Sequence, residues 1–200
     1  YRRCLSRFGL RKRLNGIGHP FSSMDLTRPR SIDGLVRRSM LIFPVNVERF
    51  VAKAHTRGAD CVLMDLEDSV PESGKGAARG LVKASIPVVG KGGGDVTVRI
   101  NRPIEEATRD LEASVWPGLT CVALPKVESA EEVLVRAGII GELERRRGLE
   151  EGSVQMAVAV ESALGVVRGF EIVSSSPRIV TVQVGAEDMT QEMGVQTSAG

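Results

Sequence analysis

Histidine is almost missing from this chain: His19 and His55 are the only two in 200 residues. A zinc centre built from His and Cys is therefore close to excluded, and a Ser-His-Asp triad would have to use one of those two. Cysteine is scarce as well. Cys4, Cys61 and Cys121 form no CxxC pair, and the last two open apolar runs, as small buried hydrophobes in a reducing compartment do. Aromatic residues make up only 4% and do not interleave with the charges, so the sequence offers no stacking surface and nucleic acid is not an expected partner. No apolar run approaches the roughly 18 residues that span a bilayer, so no membrane association is expected. Catalytic charge chemistry is left to carboxylates, Lys, Arg or a hard metal ion.

What the chain does have is an uneven distribution of charge. Residues 1–38 carry ten Lys/Arg against two acids, whereas residues 39–200 carry seventeen against twenty-three. Residues 1–36 read as a basic leader ahead of one domain at 37–200, and a composition of 42% hydrophobic residues suffices for a core. The leader reads as a disordered tail, or as sequence ahead of a start at Met24, with a cytoplasmic location. An Arg-rich, acid-poor start is also the composition of a transit peptide, and the alternative is then the mitochondrial matrix.

From residue 39 onward, β-rich runs alternate with helical spacing. The runs are "MLIFP" (40–44), "CVLMDL" (61–66), "DVTVRIN" (95–101), "CVALPKV" (121–127), "QMAVAVE" (155–161) and "IVTVQVG" (179–185). Between them lie "VERFVAKAHTRG", "GKGAARGLVKASI", "EEATRDLEASVW", "SAEEVLVRAGIIGELERRR" and "ALGVVRGFEIVSSS". Strands followed by helices predict a parallel sheet, and strands apolar on both faces predict helices covering it. Ser129 with Glu132 forms a capping box, and Gly58 and Gly148 sit where helices end in a left-handed residue. Neither nucleotide fingerprint fits: "SGKGA" lacks the Ser/Thr of a P-loop, and no GxGxxG joins a strand to a helix. The expected fold is α/β, a (β/α)8 TIM barrel. Such a barrel typically needs ~250 residues, so the six units here predict truncation after about the sixth.

In parallel strand-helix folds, functional groups collect at the carboxyl ends of the strands. Those ends carry Asp65, Glu67 and Asp68, then Arg99 and Asn101, Lys126 and Glu128, Glu161, and Glu187 and Asp188. The strand starts are mostly uncharged, which predicts that charge sits at one rim. Carboxylates clustered without His or Cys need a counter-charge, and Mg2+ takes oxygen ligands and binds through one or two carboxylates plus substrate. Arg99 supplies a planar fork for a substrate carboxylate. Plainer readings also exist. Asp68 serves equally as a helix cap, and Lys126 as an ion-pair partner, whereas Glu161, ending the apolar run "MAVAVE", is costly to bury without a cation.

Taken in order, "RRSMLIFPVN" (37–46), "GADCVLMDLEDSV" with "KGAAR", "VTVRIN" (96–101), "ALPKVESAEEV" (123–133), "AVESALGV" (159–166) and "VGAEDMTQEMG" (184–194) cover nearly all of 37–195. This set resembles the citrate lyase beta subunit-like proteins of the HpcH/HpaI aldolase group, which also includes malyl-CoA and citramalyl-CoA lyases. The resemblance implies a barrel that binds Mg2+ through Glu161 and Asp188. Arg99 would hold the carboxylate of a small 2-oxo acid, and Glu67 and Asp68 would bond the metal's waters. Backbone amides of Gly185, Ala186 and Glu187 would help receive the oxo acid, and Asp65 would be structural. The implied activity is Mg2+-dependent cleavage or formation of a 3-hydroxyacyl-CoA thioester, with acetyl-CoA and a 2-oxo acid as products and a homo-oligomer as the working form. An aldolase acting on 4-hydroxy-2-oxo acids without CoA, and an accessory subunit of a lyase complex, are the alternatives. Two departures stand out. Val45 occupies a position where the family often has a glycine, putting contacts near Asn46 in doubt, and the family's C-terminal segment, which helps cover CoA and can supply a catalytic acid to a neighbouring subunit, has no counterpart in the sequence.

Overall fold

The computed structural model describes residues 37–195; the leader at 1–36, with Cys4 and His19, lies outside them. Six strands fall on the six apolar runs: β1 (Met40–Pro44), β2 (Cys61–Asp65), β3 (Asp95–Arg99), β4 (Cys121–Leu124), β5 (Gln155–Val160) and β6 (Ile179–Val184). The helices among the described residues are α1 (Glu48–Ala54), α2 (Lys75–Val89), α3 (Ile104–Ser114), α4 (Ala130–Arg147), α5 (Ala163–Val167), α6 (Gly169–Ser174) and α7 (Ala186–Glu192). The strands form one sheet in the order β1-β2-β3-β4-β5-β6, with every neighbouring pair parallel. A doubly wound sheet begins in the middle and reverses direction, whereas a barrel lays each strand beside the last. The sheet is thus α/β and wound as part of a TIM barrel is.

Burial separates inner strands from outer ones. Every residue of β2 is buried, whereas β5, which likewise has a strand on each side, alternates buried and half-buried residues. Among the described residues β1 and β6 each have one strand neighbour, and Ile42, Val182 and Val184 are exposed. The expectation of cover on both faces therefore holds for β2 and fails at the two edges. Under the sheet, α2 turns Ala78, Val82, Ile86 and Val89 inward at helical spacing. Burying a side chain of Val or Ile size contributes about 1.5–3 kcal/mol relative to leaving it exposed. Burial of Val89 carries α2 past Pro87, three residues beyond the end of the helical pattern at Ile86; a proline in the last turn removes only one donor.

Local signals set the other boundaries. Ser129 caps α4 by accepting the Glu132 amide at 3.3 Å, and Gly148 closes that helix in the left-handed region at φ 66°. The segment after β5 is two short helices rather than one, parted at Arg168 (φ −92°, ψ 7°). Val45 is a core residue whose amide donates to Asp65 O at 3.4 Å, with no left-handed backbone at that position.

Charge is not confined to the carboxyl ends of the strands, as the sequence pattern suggested. At the amino ends, Arg37 reaches Asp95 Oδ2 at 2.7 Å, Gln155 Oε1 at 2.9 Å and Thr181 Oγ1 at 3.4 Å, tying the chain before β1 to β3, β5 and β6. Arg178 meets Glu144 there at 2.6 and 2.9 Å. These partners lie outside the strands or far apart in sequence, which hides them from a reading of strand starts. His55, beyond the end of α1, lies in the same region, and its Nδ1 is buried without a hydrogen-bond partner.

Candidate active site at the carboxyl ends of the strands

Register brings the first pair together. Asp65 ends β2 opposite Arg99, the last residue of β3. Asp65 is fully buried, and its two oxygens accept Arg99 Nε and Nη2 at 2.7 Å each. The Ser69 and Glu67 amides donate to it at 3.0 Å. Burial alone would raise the Asp65 carboxyl, but the bonds from Arg99, Ser69 and Glu67 outweigh it and hold it below the usual carboxylate range. One edge of the Arg99 fork is thereby fixed by Asp65. Its end-on Nη1 lies 3.1 Å from Glu67 Oε2 and 3.7 Å from Asp68 Oδ2. Glu67 Oε2 is buried and has no hydrogen-bond partner, so the first of these contacts is a charge pair rather than an aligned bond.

The second cation is Lys126, in the turn after β4. Among the described residues it is the only non-glycine with positive φ, at 51°, a conformation costing a side chain about 1–2 kcal/mol. This turn sends both its polar ends toward the acids. The amide donates to Glu161 Oε2 at 3.1 Å, while Nζ lies 3.1 Å from Glu67 Oε1, 3.4 Å from Asp68 Oδ1 and 3.7 Å from Asp188 Oδ2. Burial opposes the ammonium's charge, yet Glu67, Asp68 and Asp188 raise its pKa.

Glu161 follows β5 directly and precedes Ser162, which caps α5 by accepting the Gly165 amide at 3.0 Å. Gly165 is required there because a Cβ would stand 2.7 Å from Val127 O. A Cβ at Gly185 would meet Glu161 Cγ at 2.4 Å and Oε1 at 2.6 Å, so the Glu161 side chain lies across the glycine that leads into α7 and Asp188. Burial pushes the Glu161 carboxyl up, the Lys126 amide opposes this, and the charge of Asp188 adds to it. Burial likewise pushes Glu67 up, against the Lys126 hydrogen bond and the Arg99 charge. Arg99 and Glu161 line a hollow of about 60 Å³ together with Ile42, Leu63, Gln183 and the alanines of β4 and β5. A larger groove of about 440 Å³ follows the open edge of β1 instead, between Phe43 and the basic residues Arg49, Lys53 and Arg57.

Asp65, Glu67, Asp68, Glu161 and Asp188 thus gather around Arg99 and Lys126, leaving negative charge in excess. Among the described residues no group of three or more His, Cys, Asp or Glu forms a complete metal cage. Glu161 and Asp188, both in contact with Lys126, offer two carboxylates of the kind that Mg2+ takes alongside water and substrate. Three residues of the sequence reading take other places. Asn101 is buried and braces the loop after β2, donating to Leu66 O and Asp110 Oδ2. Glu128 pairs with Arg102. The Gly185 amide is engaged with Val160 O at 3.0 Å, and Ala186 and Glu187 form the first turn of α7. Asp65 is structural and Lys126 an ion-pair partner, as the sequence allowed. The pairing of Asp65 with Arg99 depends on strand register, and the turn at Lys126 on a backbone conformation that lysine disfavours, so neither could be read from sequence.

Residues 38–200 match the family model described as HpcH/HpaI aldolase/citrate lyase. The chain is 37% identical over 161 residues to the citrate lyase subunit beta of Leuconostoc mesenteroides subsp. cremoris, covering 79% of this chain and 53% of that protein. It is 31% identical over 165 residues to the L-malyl-CoA/beta-methylmalyl-CoA lyase of Cereibacter sphaeroides, covering 80% and 52%. Among solved structures, the citrate lyase beta subunit complexed with oxaloacetate and magnesium from M. tuberculosis superposes with a TM-score of 0.60 at 33% identity, covering 82% of this chain and 66% of that one. The chain spans about half the length of the curated relatives it matches. With its strand order, its carboxylate rim and these matches, the chain belongs to the HpcH/HpaI aldolase/citrate lyase family.

Proposed function

We propose that this chain carries the metal and oxo-acid centre of a Mg2+-dependent carbon-carbon lyase, which cleaves a 3-hydroxyacyl-CoA thioester to acetyl-CoA and a small 2-oxo acid, or runs the reverse condensation. The observation carrying this reading is the convergence of Glu161, Asp188, Glu67 and Asp68 on one rim beside an Arg99 whose far edge is already locked by Asp65. Relatives add support: one is named as a malyl-CoA lyase, and another was solved with magnesium and oxaloacetate. The strand order, each strand laid beside the last, supports a barrel-type winding of the sheet.

Glu161 and Asp188 would hold Mg2+, which when bound supplies Lewis-acid stabilisation of negative charge developing on substrate oxygen. Arg99 grips the substrate carboxylate through its end-on N–H groups and so fixes the scissile bond over the rim. Asp65 keeps the guanidinium in plane, so little rotamer freedom is lost on binding. Glu67 and Asp68 would accept hydrogen bonds from water at the centre, and the small hollow beside Arg99 and Glu161 would limit the bulk of the oxo acid's substituent.

The test is release of oxo acid from malyl-, citramalyl- and citryl-CoA by the natural protein that contains this chain, with and without Mg2+. Metal-dependent release, abolished in Glu161→Ala and Asp188→Ala, is the expected result. Cleavage of 4-hydroxy-2-oxo acids without any thioester activity would move the protein to the aldolase reading, and silence on both sets would favour an accessory subunit.

A further inference from the structure

Lys126 stands among the same carboxylates that the lyase reading gives to the metal and its waters, and that reading assigns it no task. We infer that Lys126 is a built-in counter-cation that competes with Mg2+ for the rim, holding the carboxylates together before the metal binds and keeping metal affinity low until substrate charge arrives. The inference rests on the proposed metal site and adds a device that sets its affinity.

Three observations carry it. The ammonium reaches Glu67, Asp68 and Asp188 within 3.1–3.7 Å, bridging elements that follow β2 and β6. No other cation is recorded in contact with Asp188 among the described residues, whereas Glu67 and Asp68 also have Arg99. The backbone at Lys126 is held at φ 51°, in a region that favours glycine, yet the residue there is a lysine with its amide on Glu161. A residue serving only to form the turn would be glycine or asparagine; here the ammonium is retained at a strained position. A fixed positive charge a few ångströms from a divalent cation repels it through the same oxygens that attract both. A bound oxo acid adds a carboxylate and offsets that repulsion, which couples metal retention to substrate.

The experiment is calorimetric titration of Mg2+ into wild type, Lys126→Met and Lys126→Gly, with thermal melts at zero and saturating Mg2+. Met removes the charge and keeps the bulk. Gly removes the charge while keeping the amide and the left-handed turn. Both are expected to bind Mg2+ about 10-fold more tightly than wild type. Met is expected to melt lower than wild type without metal and to recover most of that loss when saturated, and Gly, which also relieves the left-handed strain, to melt above Met without metal. Lys126→Arg, keeping the charge, is expected to stay within about 3-fold of wild type. Structural damage would move affinity in the opposite direction, so the sign of the change is diagnostic. Unchanged or weaker binding in both Met and Gly variants, with equal melting losses at zero and saturating Mg2+, would overturn the inference while leaving the lyase reading intact. Absence of Mg2+ binding in wild type would overturn both.

Discussion

Two glutamates, Glu144 near the amino ends of the strands and Glu161 at the carboxyl ends, meet opposite electrostatic surroundings. Glu144 accepts Arg178 at 2.6 and 2.9 Å and the amides of Gly152 and Val154 at 2.9 and 2.8 Å. Burial would raise it, but Arg178 and those amides prevail and hold it below the ordinary value. Glu161 has one amide, from Lys126, and a like charge at Asp188, and burial pushes it up. The same contrast extends along each rim. At the amino ends Arg37 meets Asp95, Arg38 meets Asp60 and Arg178 meets Glu144. At the carboxyl ends five carboxylates share Arg99 and Lys126. Matched charge stabilises the sheet; surplus charge is held in readiness for something that binds.

Substitutions at the two rims should therefore separate function from stability. The largest effect is expected at the carboxyl rim: Glu161→Ala or Asp188→Ala should lower Mg2+-dependent oxo-acid release by at least about 10³-fold, and Arg99→Met by about 10²–10³-fold, in steady-state assays. Melting temperature should change little in the two acid variants, because each acid removed relieves crowding of like charge, whereas Arg99→Met should also lower it, because Asp65 is left buried without its partner. At the amino rim the order reverses. Glu144→Ala leaves Arg178 buried without its partner and should cost about 3–5 kcal/mol in chemical denaturation, with Mg2+ affinity unchanged. An activity loss without a stability loss in Glu144→Ala would break the comparison.

The pH dependence of stability gives a smaller, opposite-signed test. Glu144 is depressed in the fold, so its contribution is present above the ordinary glutamate value of 4.5 and is lost as pH falls through its folded value. Glu161 and Glu67 are raised, so theirs is complete below 4.5 and is lost as pH rises through their folded values. Denaturation of the metal-free protein across pH should show Glu161→Gln flattening the profile above 4.5 and Glu144→Gln flattening it below. Identical profiles for the two variants would contradict the assigned environments.

Much of the architecture was legible because the strand runs are rich in β-branched residues and the helix ends carry explicit signals, such as Ser129 and Gly148. The helix α7 was not, because "AEDMTQE" has no apolar stripe to mark it as helical. The carboxylates of the site could be listed from their places after strands, since that rule needs no register. The groups that orient them could not. Asp65 serves Arg99 across a strand pair 34 residues apart, and Arg37 joins partners 58 to 144 residues away. Lys126 was visible as a charge but not as a left-handed residue, since nothing local in "LPKVES" asks for that turn.

Calorimetric titration of Mg2+ into wild type, Glu161→Gln and Glu144→Gln tests the central claim most directly. The account predicts one Mg2+ site in wild type, retained in Glu144→Gln and lost in Glu161→Gln. Mg2+ binding that survives Glu161→Gln, or that is lost in Glu144→Gln alone, would contradict it.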